Sequence, residues 1–330
     1  MSITPPAPAM AQDPIAKPGW LRGQYGTYIG LTSVLVGMIL LFGWMSEYFI
    51  TVETFVTIAN EIPALAVMAI GMTFVLILAG IDLSVGSVLA FSAAITANAI
   101  LQWKWGVPAA AALGLMIGLL CGAITGAISV AWRLPSFIVS LGMLEAVRGG
   151  AYLVTDSRTQ YVGNAISGLA KPWIGGISSA FILALVLVVI AQFILTKTVF
   201  GRYTIGIGTN EEAMRLAGVD PRPIRIIVFA ATGFLAGLAG LMQSARLEAA
   251  DPNAGSGIEL QVIAAVVIGG TSLQGGRGTI VGTALGALFM TTVANGMTLI
   301  RISPFWQQLV LGVVLLAACS MDYVRNQFKK

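Results

Sequence analysis

Residues 201–225 run GRYTIGIGTNEEAMRLAGVDPRPIR, a charged island between two long apolar stretches. It holds four arginines and three acids. Its order predicts a short capped helix, with Thr209 at the N-cap, Glu212 completing a capping box and Gly218 closing the C-terminus. On a helix from about Asn210 to Ala217, the residues Ala213, Leu216 and Ala217 share one face. Glu211 and Arg215 pair at i,i+4, worth about 0.2–0.5 kcal/mol. Two turns are too short to persist in water by propensity alone, so this helix must rest on the bundle, on headgroups or on a partner. A membrane-surface helix carries bulky apolar residues opposite several lysines. This one has alanines and mixed charge, which favours a protein partner.

Outward from the island the chain is built for lipid. Of 330 residues, 57% are hydrophobic and 10% charged, and the mean hydropathy is +0.89. A soluble chain is about 25% charged, so too few polar residues remain here to cover a water-facing surface. The net charge of +4 is explained by basic residues on the cytoplasmic side of a membrane protein and calls for no nucleic acid. Residues 1–24 are rich in Pro and Ala without an apolar core or cleavage site, which predicts a disordered cytoplasmic tail. Cys121 and Cys319 both fall in apolar runs, so no disulfide framework is expected. There is no histidine, which excludes His-based metal sites, triads and proton relays.

Apolar segments of spanning length occur near 25–46, 62–80, 84–101, 107–131, 137–154, 177–196, 224–246, 259–276, 279–299 and 304–321. The expected fold is therefore an all-α integral membrane bundle of about ten transmembrane helices. It forms one domain over 25–322, followed by a basic tail over 323–330. With both termini cytoplasmic, the cytoplasmic loops collect Lys17, Arg22, Arg133, Lys197, Arg202, Arg215, Arg222, Arg225, Arg277, Arg325, Lys329 and Lys330. The opposite side keeps Lys104, Arg158, Lys171 and Arg301. That asymmetry supports the orientation. It puts Glu47, Glu53 and Glu61 in the first external loop and the segment 197–223 in the cytoplasm.

Gly114, Gly118, Gly122 and Gly126 recur every four residues, and Gly233 with Gly237 and Gly282 with Gly286 repeat the spacing. Such rows let helices approach closely where lipid gives no hydrophobic drive, and they are assigned to packing. Two pairs of segments hint at an inverted repeat. AGIDLSVGS (79–87) resembles GGTSLQGGR (269–277) at an offset of 190, and RLPSF (133–137) resembles RISPF (301–305) at 168. Only the second pair would sit on opposite membrane faces, as inversion requires.

The segment Gly80-Ile81-Asp82-Leu83-Ser84-Val85-Gly86-Ser87 joins two apolar spans with almost no loop. A carboxylate at membrane depth costs about 2.5–3.5 kcal/mol and needs a partner or a wet cavity. Asp82, Ser84 and Gly86 therefore belong either to a broken helix shaping a polar pathway or to a tight turn. In the turn, Asp82 caps the next helix through the amides of Ser84 and Val85. Asn98 and Asn295, with Gln192, Gln243 and Gln261 near span ends, either line a polar path or bond between helices. The external segment Thr155–Gly176 either receives a partner or is a solvated loop. No G-x-x-x-x-G-K-[ST] phosphate loop exists, and intramembrane acids are sparse, which argues against an ion-driven carrier. No nucleophile–base pair marks an enzyme.

Together GIDLSVGS, the island from GRYTIGIGTNEEAMRLAGV and AVVIGGTSLQGGRGTIVGTALGAL at 265–288 resemble ribose/xylose/galactose-type ABC importer permeases. The resemblance covers roughly 50–322. It implies an inner-membrane, multi-pass subunit paired with a second permease copy or paralogue. A periplasmic sugar-binding protein would feed it, and a separate cytoplasmic ATPase holding ATP and Mg would drive it. No cofactor is then expected on this chain. The resemblance maps the coupling segment onto Gly201, Arg202, Gly208, Asn210, Glu211, Ala213 and Gly218, beside Glu212 and Arg215, and matches Asp82 to the family's aspartate. Thr209 stands where many relatives have glycine. The expected cargo is a pentose or hexose. An amino acid, a nucleoside or a signalling furanone within the same class, or an autonomous carrier or channel, are the alternatives.

Overall fold

A computed structural model describes residues 24–327. The tail expected over 1–24 lies outside the described residues up to residue 23, as do 328–330 of the basic tail. The chain is an all-α membrane bundle. Its helices are α1 (Gln24–Met45), α2 (Val52–Ile77), α3 (Val85–Leu101), α4 (Val107–Ala131), α5 (Ser136–Thr155), α6 (Ser179–Lys197), α7 (Val199–Thr209), α8 (Glu211–Leu216), α9 (Pro221–Leu247), α10 (Ile258–Ile268), α11 (Ile280–Leu299) and α12 (Pro304–Gln327). Among the described residues seven of these are long and apolar enough to cross a membrane, and three apolar helices (α3, α10 and the apolar part of α12) are shorter. At 1.5 Å per residue, the 11 residues of α10 reach only about half of a ~30 Å hydrocarbon core.

Three expected boundaries move. The span expected at 259–276 ends at Ile268, because 269–279 is loop, with Gly270, Gly275 and Gly276 all at positive φ. The span expected at 62–80 begins ten residues earlier, at Val52, where the Thr51 hydroxyl accepts from the Thr54 amide and Glu53 sits in the first turn. Glu53 and Glu61 are thus helical instead of lying in a loop. The basic tail is helical as far as Gln327, as a continuation of α12.

α2 and α9 form the centre, and α2 is almost wholly buried, whereas α1 and α5 keep most of their apolar surface outward, as lipid-facing helices do. The two central helices run antiparallel. Glu61 near the start of α2 meets Arg246 near the end of α9, and Gly71 lies against Thr232 midway. Gly118 and Gly122 of α4 press on the Gly233 backbone of α9, and Gly126 on Phe229 and Ile226, while Gly114 meets Ser92 and Thr96 of α3.

The contacts reveal the repeat. A step of 168 residues carries 52–77 to 220–245, 85–101 to 253–269, 107–131 to 275–299 and 136–155 to 304–323, the positions of α9, α10, α11 and α12. α4 packs on α9 as α11 packs on α2, and α3 packs on α4 and α5 as α10 packs on α11 and α12. Gly114 and Gly118 have their counterparts in Gly282 and Gly286, which press on Gly269 and Ala265. The connectors RLPSF and RISPF also share one conformation. Arg133 and Arg301 have φ of 51° and 59°, and the next amide bonds five residues back, Leu134 to Ser129 and Ile302 to Met297. Because equivalent helices α2 and α9 are antiparallel, the repeat is inverted. The pair 79–87 and 269–277 is not repeat-related. Those two turns meet each other at one end of the bundle, where the Gly276 amide donates to the Ile77 carbonyl at 2.8 Å.

The segment expected to be external is a folded cap. Gln160–Tyr161 (β1) pairs with Ala249–Ala250 (β4), and Pro172–Ile174 (β2) forms a hairpin with Ile177–Ser178 (β3). Val162 and Ile166 bury against Ala93, Ala97 and Ala245. Asn60 clamps the hairpin, donating to the Gly176 carbonyl and accepting from the Ser178 amide.

Candidate functional site

The charged island folds as two helices. α7 was hidden in the sequence by its glycines, yet each glycine has a reason in packing. Thr198 caps α7 by accepting from the Gly201 amide, and a Cβ on Gly201 would strike the Leu195 carbonyl, so this glycine permits the tight step from α6. A Cβ on Gly208 would strike the Ile77 carbonyl and the Gly276 amide. The end of α7 is therefore wedged against the α2–α3 turn and the α10–α11 turn at once.

α8 follows after one residue. Its N-cap is Asn210, whose Oδ1 accepts from the Ala213 amide at 3.0 Å, not Thr209 as expected. Thr209 ends α7 and donates its hydroxyl to the Ile205 carbonyl. The shift by one residue puts Ala213 at N3, so Glu212 completes no capping box and stands exposed. Gly218 closes the helix at φ 84° while the Val219 amide bonds back to Met214. Glu211 ties the helix down. One carboxylate oxygen holds Arg215 at 3.0 Å and the other holds Arg225 of α9 at 2.6 Å. Met214 packs on Gly206. The opposite face, with Ala213, Leu216 and Ala217, is open, and Leu216 is 83% exposed. Arg202 is exposed on α7.

The Asp82 segment is a buried break. Asp82 is 1% exposed, and its Oδ1 accepts from the Ser84 amide at 2.9 Å and the Ser84 hydroxyl at 2.6 Å. The Val85 amide expected as a second donor gives way to that hydroxyl. The Ile81 and Leu83 amides, freed by the break, donate to Ser136 and Ser140 of α5. Gly86 lies against the Gly255 carbonyl and Glu259, so the N-termini of the short helices α3 and α10 meet inside the bundle.

At the other end a cavity of about 360 Å³ opens between α2, α6, α9, α10 and α11. Asn60, Glu61, Gln243, Arg246, Gln261 and Thr291 supply its polar wall. Gln243 and Gln261 were expected near a polar path. Asn60 and the Glu61–Arg246 pair (3.0 Å) were not, because the partners lie 185 residues apart and nothing local links them. The other polar candidates lie elsewhere. Asn98 donates to the Val154 carbonyl, joining α3 to α5. Gln192 accepts from the Ile280 and Val281 amides at the start of α11. Asn295 is half-buried on α11 and is not part of the cavity wall.

The chain is similar in sequence to known proteins. Residues 54–319 match the family described as branched-chain amino acid transport system / permease component. The chain is 38% identical over 313 residues to the ribose import permease of Escherichia coli (strain K12), covering 92% of this chain and 94% of that protein. It is 36% identical over 308 residues to the ribose import permease of Bacillus subtilis (strain 168), covering 90% and 92%. With the L-arabinose ABC transporter permease of Azospirillum brasilense it shares 35% identity over 341 residues, covering 99% and 97%. No solved structure matches. A bundle of apolar helices with an open helix on its charged end, matched along almost its whole length to import permeases, is a multi-pass inner-membrane transport subunit, and the chain belongs to this ABC transporter permease family.

Proposed function

We propose that this chain carries a monosaccharide, pentose or hexose, across the membrane without catalysing a reaction itself. A periplasmic binding protein delivers the solute at the capped end, where Tyr161 and Trp173 stand exposed. A second permease copy or paralogue completes the pathway. ATP and Mg reside on a cytoplasmic ATPase that docks on α8, and this chain binds no cofactor.

One observation carries the reading. The outer face of α8 leaves Leu216 83% exposed, while α7 behind it is wedged between the two turns that interrupt the bundle. A push on α8 therefore reaches both halves of the repeat through Gly208. The test is purification of the full complex from native membranes in mild detergent. Leu216→Arg touches nothing inside the bundle, so the permease should stay at normal level while a stoichiometric ATPase is lost from it and uptake stops. Unimpaired coupled uptake in that variant sinks the docking site. ATP-independent flux by the chain alone in liposomes sinks the importer reading in favour of an autonomous carrier.

The cavity bears on cargo. Side-chain amides of Asn60, Gln243 and Gln261 both donate and accept, as a polyol requires. A second reading has an observation of its own. Glu61 and Arg246, if drawn apart, match the two charges of an amino acid, in keeping with the family's description. Competition of labelled ribose, L-arabinose and leucine for uptake separates the two.

A further inference from the structure

At the island end a second cavity, of about 350 Å³, lies between the end of α4, the 132–135 turn, α8 and the start of α9. Four guanidinium groups wall it, those of Arg133, Arg215, Arg222 and Arg225, and Glu211 is its one acid. Both oxygens of Glu211 are already engaged, by Arg215 and Arg225. Arg133 and Arg222 are exposed, with no side-chain hydrogen bond or ion pair among the described residues. Like charges gathered in a concave site repel one another and strengthen the pull on an anion. Planar guanidinium forks suit phosphate oxygens best.

We infer that this cavity binds the phosphate of an anionic phospholipid drawn from the adjoining leaflet. Its rim favours lipid over a soluble anion. Trp132 is 70% exposed beside it, Leu134 lines it, and Phe137 and Ile138 continue an open apolar slope along α5. Tryptophan sits at headgroup level in membrane proteins, and basic pockets at the ends of membrane helices hold anionic headgroups. The excess of Lys and Arg assigns this end to the cytoplasmic leaflet. The docking face of α8 points away, through Ala213, Leu216 and Ala217, so lipid and ATPase use different sides of the helix. A bound headgroup ties α8 and the start of α9 to the α4–α5 turn.

The test uses the full-length chain, stripped of lipid in detergent, with native mass spectrometry and thermal unfolding as readouts. Phosphatidylglycerol should be retained at one equivalent and raise the unfolding temperature, and phosphatidylcholine should do neither. Removing both unpaired cations, in Arg133→Gln with Arg222→Gln, should weaken phosphatidylglycerol about thirtyfold. Lys197→Gln with Arg277→Gln, which removes the same charge outside the cavity, should leave binding intact. Unchanged binding in the first pair, or equal loss in both pairs, overturns the site. Inorganic phosphate displacing the lipid at equal concentration overturns the lipid source. If the first pair loses the ATPase yet keeps the lipid, the cavity belongs to acidic side chains of that subunit. Docking through Leu216 is scored separately, so either inference can fail alone.

Discussion

Gly208 shows how little room one residue leaves at the end of α7. The atoms a Cβ would meet, the Ile77 carbonyl and the Gly276 amide, are backbone on two different elements. Gly208→Ala should therefore destabilise by about 1–3 kcal/mol or displace α7, seen as a lower unfolding temperature of the detergent-solubilised chain. Gly142 is the control, since a Cβ there meets nothing, and Gly142→Ala should cause no loss. Asp82 poses a subtler question. Its Oδ1 serves two donors on Ser84, a task that an amide oxygen also performs. Asp82→Ala leaves a buried amide and a hydroxyl without their acceptor and should cost about 1–3 kcal/mol. Asp82→Asn should keep most of the folded protein and of the uptake. Loss of transport in Asp82→Asn at a normal protein level would show that the charge itself acts in the pathway.

Elements divide into those legible in the sequence and those fixed by distant partners. The ten apolar helices announce themselves by hydropathy, and α8 by its charge and by Gly218. α7 does not, because Gly201, Gly206 and Gly208 lower helix propensity and their compensation lies in backbones far along the chain. The start of α2 was obscured by Glu53 and Glu61, whose charges suggest a loop until Arg246 is seen across the bundle. Gln192 is another case, for a lone glutamine in a span says nothing of its partner. It accepts from two amides at the start of α11, donors that no residue of α11 can satisfy. Gln192→Leu should cost about 1–3 kcal/mol and loosen α6 from α11. Thermal unfolding together with faster hydrogen exchange at residues 279–283 would register it, and unchanged exchange there would refute the stitching role.

For the whole molecule, the inverted repeat makes the two ends comparable, and they differ. At one end Glu61 and Arg246 stand beside an open polar cavity. The equivalent positions, 168 residues away, are Phe229 and Leu78, 1% and 0% exposed in the core. The polar pair faces an open cavity while its counterparts are sealed in apolar core, which is the asymmetry that alternating access needs when two inverted halves take unequal conformations. This predicts a labelling pattern. In a Cys121→Ser, Cys319→Ser background, Gln243→Cys and Gln261→Cys in right-side-out vesicles should react readily with a membrane-impermeant thiol reagent, and Phe229→Cys should not. Inside-out vesicles should leave all three unlabelled, because the buried core around Phe229 and Leu78 closes the path from the island end. Reaction of Gln243→Cys only from the inside would reverse the orientation drawn from the arginine and lysine distribution. Equal reaction from both sides would make the cavity part of an open channel and remove the need for an ATPase to alternate it.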